Sequence, residues 1–130
     1  MRLVAGLEST QLRAVYLKIS QAMQQADLEI VDKNYVETME VHVKDPAYRK
    51  YAFASIRCDA GKYVELRFPR RHLKALGIVD GFNKLGGNFW RNDTSNYVRF
   101  QFYQLTNNEE GFINKLSGYL KKVFTEKLVS

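Results

Sequence analysis

The stretch that decides the fold is YAFASIRCDAGKYVELRFPRRHLKALG (Tyr51–Gly77), completed by YVRFQFY (Tyr97–Tyr103). Alternate residues along it separate into two sets, as they do when side chains leave a strand on opposite faces. One set reads as core: Ala52, Ala54, Ile56 and Cys58; Val64, Leu66 and Phe68; Val98, Phe100 and Phe102. The other mixes aromatics with arginines: Tyr51, Phe53, Ser55 and Arg57; Tyr63, Glu65 and Arg67; Tyr97, Arg99, Gln101 and Tyr103. The spacing therefore predicts three strands of one sheet with an ordinary inner face and an unusual outer one.

Punctuation between the strands supports this reading. Asp59-Ala60-Gly61-Lys62 has hairpin chemistry, with glycine available for positive φ. Pro69 ends a strand because it cannot donate to a ladder, and it suits the first turn of a helix. Arg70 to Leu76 is that helix, with Gly77 as its C-cap. From Ile78 to Asn96 glycine and asparagine are frequent, yet Phe82, Leu85, Phe89 and Trp90 sit among them, so the loop should pack back on the body.

Upstream, Leu12, Val15, Tyr16, Ile19, Met23 and Ala26 recur at helical spacing after a Ser9 or Thr10 cap. Asp27 to Asn34 reads as a connector, and Tyr35 to Val43 as a further, edge-type strand broken at Glu37. Lys44-Asp45-Pro46 marks a turn. Downstream, Thr106 or Asn107 with Glu109 or Glu110 forms a capping box. It opens a helix whose apolar face is Phe112, Ile113, Leu116, Tyr119, Leu120, Val123 and Phe124. Lys121, Lys122 and Lys127 complement its negative end. The expected architecture is a single α+β domain over residues 1–130. It is a two-layer sandwich in which N- and C-terminal amphipathic helices cover one face of a mostly antiparallel sheet of about four strands.

Composition narrows the function classes. The chain has 130 residues, a net charge of +6 and 13% aromatic residues. A positive balance favours acidic partners. One cysteine excludes an internal disulfide and fits a reducing, cytoplasmic setting. No run has the length of a membrane span, and Met1–Gly6 is too short for a signal peptide. With two histidines, His42 and His72, and Cys58 on the core face, neither a zinc cluster nor a Cys–His nucleophile is expected. Asp59, Glu65, Asp80 and Asp93 lack nuclease-like spacing, and Gly81 with Gly86-Gly87 lacks a phosphate-loop spacing. No catalytic group, metal or cofactor is implied. The Gly-Phe-x-Phe core of an RNA-recognition motif is missing as well.

What remains is the outer face. Arg57, Arg67 and Arg99, with Arg70, Arg71 and Lys74 just beyond, can hold phosphate; Tyr63, Tyr97 and Trp90 can stack on bases. The reading is a non-enzymatic module engaging nucleic acid or a nucleotide-like anion. The alternative is a protein-interaction or homodimer surface on the same face, since such surfaces also favour Tyr, Phe and Arg. A third possibility is that the loop from Ile78 to Asn96 folds over this face.

KYAFASIRCDAGKYVELRFP (Lys50–Pro69), GGNFW (Gly86–Trp90) and YVRFQFYQLTNNEEGFINKLSGYLKKVF (Tyr97–Phe124) resemble a small uncharacterised domain. That domain carries a predicted-transport label and occurs alone or attached to restriction-type nucleases. The likeness spans roughly Leu12 to Phe124. It departs where Arg91 follows Trp90, since the family places a glycine there. The resemblance implies the same α+β fold and a link to nucleic-acid systems, and it brings no catalytic residues.

Overall fold

The structure is a computed structural model and describes residues 10–34, 37–44, 52–58, 62–86 and 88–128. The Ser9 cap, Tyr35, the Asp45-Pro46 turn, Tyr51, the Asp59–Gly61 connection, Gly87 and the Lys127 side chain lie outside the described residues. The order of elements is α1 (Thr10–Gln25), β1 (Leu28–Val31), β2 (Thr38–Val43), β3 (Ala52–Cys58), β4 (Val64–Pro69), α2 (Arg70–Leu76), α3 (Val79–Asn83), β5 (Tyr97–Phe102) and α4 (Asn107–Leu128). The strands form one antiparallel sheet in the order β1-β2-β3-β4-β5.

Five strands replace the expected four or so. The addition is β1, inside the segment read as a connector. Asp27 adopts φ 63°, a left-handed bend that Asp tolerates better than most residues, and this turns the chain from α1 straight into β1. Asp32-Lys33-Asn34 does have the turn chemistry expected of it. The Asn34 N–H donates to Asp32 Oδ1 at 2.7 Å, and Asn34 has φ 62°.

All four described helices bury side chains in the same apolar cluster against the inner face. Helix α1 contributes Leu12, Val15, Tyr16, Ile19, Ala22 and Met23. Helix α4 contributes Phe112, Ile113, Leu116, Leu120, Val123 and Phe124. The two helices meet where Ser117 Oγ donates to the Ala22 carbonyl at 2.6 Å. Aromatic rings meet edge-on through this core: Phe68 lies 4.9 Å from Phe82, and Phe53 lies 5.1 Å from Phe124.

Phe53 overturns one assignment. Strict alternation puts it on the outer face, with Ala52 inside. The pairing slips between Val41 and His42, so Val41 faces Ala54 while His42 faces Ala52. Such a bulge adds a residue to one strand and inverts the facing beyond it. Phe53 is therefore buried at 4% exposure and Ala52 is only partly buried.

Two caps form as their residues predict. Gly77 adopts φ 68°, and its N–H donates to the Leu73 and Lys74 carbonyls, closing α2. Thr106 caps α4: the Asn108 N–H donates to Thr106 Oγ1 at 3.3 Å, and the Thr106 N–H donates to Glu109 Oε1 at 3.1 Å. The pair in use is Thr106 with Glu109 rather than Asn107 with Glu110. Burial pushes the Glu109 carboxyl up, but hydrogen bonds from the Thr106 side chain and backbone and from Trp90 outweigh it and leave the pKa below the ordinary value.

Candidate nucleic-acid interface

Strand register lays the outer face out in two rows across the sheet. One row runs Glu40, Ser55, Arg67, Arg99 from β2 to β5. The other runs Thr38, Arg57, Glu65, Gln101. Arg67 and Arg99 are direct cross-strand partners, a like-charge placement that is unfavourable by itself. Glu65, one step along β4, resolves it. Its side chain is 1% exposed, and its carboxylate lies beside both guanidiniums. Arg99 Nη1 is 3.5 Å from Oε1. Arg67 Nε is 3.0 Å from Oε2, yet the N–H is not aligned with that oxygen, so this contact is Coulombic rather than a hydrogen bond.

Amides complete the network. Gln101 Nε2 donates to Glu65 Oε1 at 2.9 Å, and Asn92 Nδ2 donates to Gln101 Oε1 at 3.2 Å. Arg99 Nε donates to the Asn92 carbonyl at 2.7 Å. The Arg67 guanidinium lies 4.5 Å from the centroid of the Tyr97 ring, within cation–π range. Arg67 and Arg99 keep side-chain exposures of 21% and 19%. They are thus fixed by neighbours and still reachable from solvent. Arg57 joins them by register, directly opposite Glu65 and partly buried.

The described residues of the loop after α3 do not lie across this face. Phe82 and Leu85 enter the inner core. Residues 90–94 then run antiparallel beside β5. The Gln101 N–H donates to the Trp90 carbonyl at 2.9 Å, and the Asn92 N–H donates to the Arg99 carbonyl at 2.9 Å. The loop extends the sheet edge and contributes Asn92 to the network. Among the described residues, no helix packs on the outer face.

Arg70 is engaged elsewhere. Its Nη2 lies 2.8 Å from Asp93 Oδ2 and its Nε donates to the Thr94 carbonyl at 3.2 Å. Arg91 grips the same carboxylate at 2.7 Å and also donates to Asn83 Oδ1 at 2.8 Å. Burial raises the Asp93 pKa, but Arg91, the backbone of Arg99 and Arg70 more than reverse that and hold it below the ordinary value. This cluster is a latch tying α2, α3 and the loop together. Arg71 and Lys74 are exposed on α2. His72, on the same helix, has its pKa lowered by burial and by Arg71.

Of the aromatics, Tyr97 is covered by Arg67, and Tyr63 is half-buried with its ring edge-to-face with Tyr103 at 5.7 Å. Trp90 stacks on Phe112 at 5.1 Å with an interplanar angle of 27°, so one of its faces is already occupied. Expecting the whole loop to pack back overlooks Phe89, which is 88% exposed. Asn92 was also missed, because its role depends on a backbone pairing beyond the end of any recognisable strand. Cys58 is buried, as its position on the core face implies. Among the described residues, no three His, Cys, Asp or Glu side chains converge to hold a metal, and no helix is long and apolar enough to cross a membrane. No family model matches the chain, and no curated protein or solved structure is significantly similar to it.

Proposed function

We infer that the outer sheet face binds the phosphates of a nucleic acid or a nucleotide-like anion. The observation that carries this reading is the pair Arg67 and Arg99 held at the buried carboxylate of Glu65, with Arg57 opposite Glu65 by register. The two rows carry three guanidiniums against two carboxylates, Glu65 and Glu40, and so keep a positive excess. Each guanidinium has five N–H donors, more than the contacts to Glu65, Asn92 and Tyr97 use. Holding these side chains in place before binding reduces the entropy lost on association. Arg71 and Lys74 extend the positive surface past the end of β4, while Arg70 acts through the latch. The module needs no catalytic group for this task.

The test is a salt titration of oligonucleotide binding. Phosphate contacts make log affinity fall linearly with log salt, by about 0.7 per phosphate for single strands and about 0.9 for duplex. With Arg57, Arg67 and Arg99 engaged, a slope of about 2–3 is expected. Absence of binding at low salt, together with a concentration-dependent dimer in light scattering, would replace this reading with an interface between protein chains.

A further inference from the structure

Beyond the end of β5 the chain leaves a half-open cleft of about 180 Å³, walled by Phe89, Trp90, Gln101, Tyr103, Gln104 and Glu109 among others. It adjoins the arginine face. Asn92 lines the cleft, accepts from Arg99 Nε through its carbonyl, and donates through its side chain to Gln101. A site for a drug-sized molecule needs roughly 300–1,000 Å³, so this one accommodates a single ring system. Its walls suit a flat ring. Phe89 and Tyr103 are 88% and 59% exposed, each touching one neighbouring ring by an edge and leaving most of its surface to solvent. Phe89 meets Trp90 at 81°, which makes a right-angled aromatic corner. Trp90 is held there by stacking on Phe112 and by its hydrogen bond to Glu109. The Gln104 amide offers both donor and acceptor to a ring edge. The Glu109 carboxylate also lines the cleft, and its charge disfavours a phosphate there.

We propose that this cleft receives one unpaired nucleobase, stacked on Phe89 and Tyr103, while the adjoining phosphate sits at Arg99. The proposal rests on the phosphate-binding reading of the sheet face and makes it specific for single strands. A duplex cannot present a base to the cleft without unpairing it.

Trp90 is the only tryptophan in the chain, so its fluorescence reports on the cleft directly. The full chain is titrated with a short oligothymidylate, an abasic oligomer of equal length and a duplex. The expected result is quenching of Trp90 and tighter binding by the oligothymidylate than by either other probe. Phe89→Ala should reduce that preference roughly fivefold to a hundredfold, the worth of one base–aromatic stack. Because Phe89 is exposed, its replacement leaves the core intact; an unchanged circular dichroism melt verifies this. Equal binding of abasic and normal oligomers, with no effect of Phe89→Ala, overturns the cleft and leaves the phosphate face standing. Failure of all three probes to bind at low salt overturns both.

Discussion

Glu65 bears on both the fold and the proposed binding face. Its carboxylate separates Arg67 from Arg99 and receives the Gln101 amide, all at 1% exposure. Replacing it by Gln removes the charge and leaves guanidiniums facing one another. Removing one partner of a fully buried ion pair costs about 3–5 kcal/mol. Here both arginines retain about a fifth of their exposure, and solvent screening brings the expected loss down to about 2 kcal/mol. Glu65→Gln should therefore lower the midpoint of urea denaturation. The same change releases the arginines from their internal anion, so oligonucleotide affinity at low salt should rise and its salt dependence should steepen. A variant that loses stability and affinity together would mean that Glu65 organises the arginines more than it neutralises them.

At the scale of elements, the Asp93 latch and the contact of α3 with α4 each make a prediction. The folded-state pKa of Asp93 is depressed, so its contribution to stability is fully present above the unfolded value of about 3.9 and is lost as pH falls through the folded value. Wild-type stability should drop through this acid window. Asp93→Asn should be less stable at neutral pH and show a shallower acid decline, measured by denaturation between about pH 2 and pH 6. The second prediction concerns Gly81. A Cβ there would meet the Tyr119 hydroxyl at 1.7 Å and the ring carbon behind it at 2.5 Å. Gly81→Ala should cost about 1–3 kcal/mol by overpacking, and far less in a Tyr119→Ala background, as a double-mutant cycle would reveal.

The legibility of the sequence varied between these elements for physical reasons. Helix α2 and the α4 cap could be read because Pro69, Gly77, Thr106 and Glu109 act locally on the backbone next to them. Strand β1 could not, because its four residues are too few to establish a period. Phe53 escapes the alternation because the bulge depends on the pairing with β2, and no local feature of β3 announces it. The arginine face was visible as parity along single strands, whereas its hub was not. That Glu65 lies between Arg67 and Arg99 follows from inter-strand register, and Asn92 reaches Gln101 only because the loop pairs with β5.

For the whole molecule, the consequence of placing the described helices on one side of the sheet is that the apolar core and the proposed binding face lie in different layers. The inner layer holds the apolar cluster, Leu116 among its fully buried members at 0% exposure. Leu116→Ala should cost about 2–5 kcal/mol, as large-to-small core changes do. The sheet backbone carries the outer rows, and its ladder is unchanged by a vacancy between α4 and the core. Below the variant's melting temperature, the salt slope of oligonucleotide binding should then match that of the wild type. Arg57→Gln should do the reverse. It removes a partly buried cation opposite Glu65 and leaves the core untouched, so the melting temperature should move little. The salt slope should fall by about 0.7–0.9, the share of a single phosphate. The two variants together therefore separate the layers. A slope that changed with Leu116→Ala would mean that the outer rows are set by core packing through the sheet. A slope unmoved by Arg57→Gln would exclude the second row from the phosphate contacts and leave Arg67 and Arg99 to carry them.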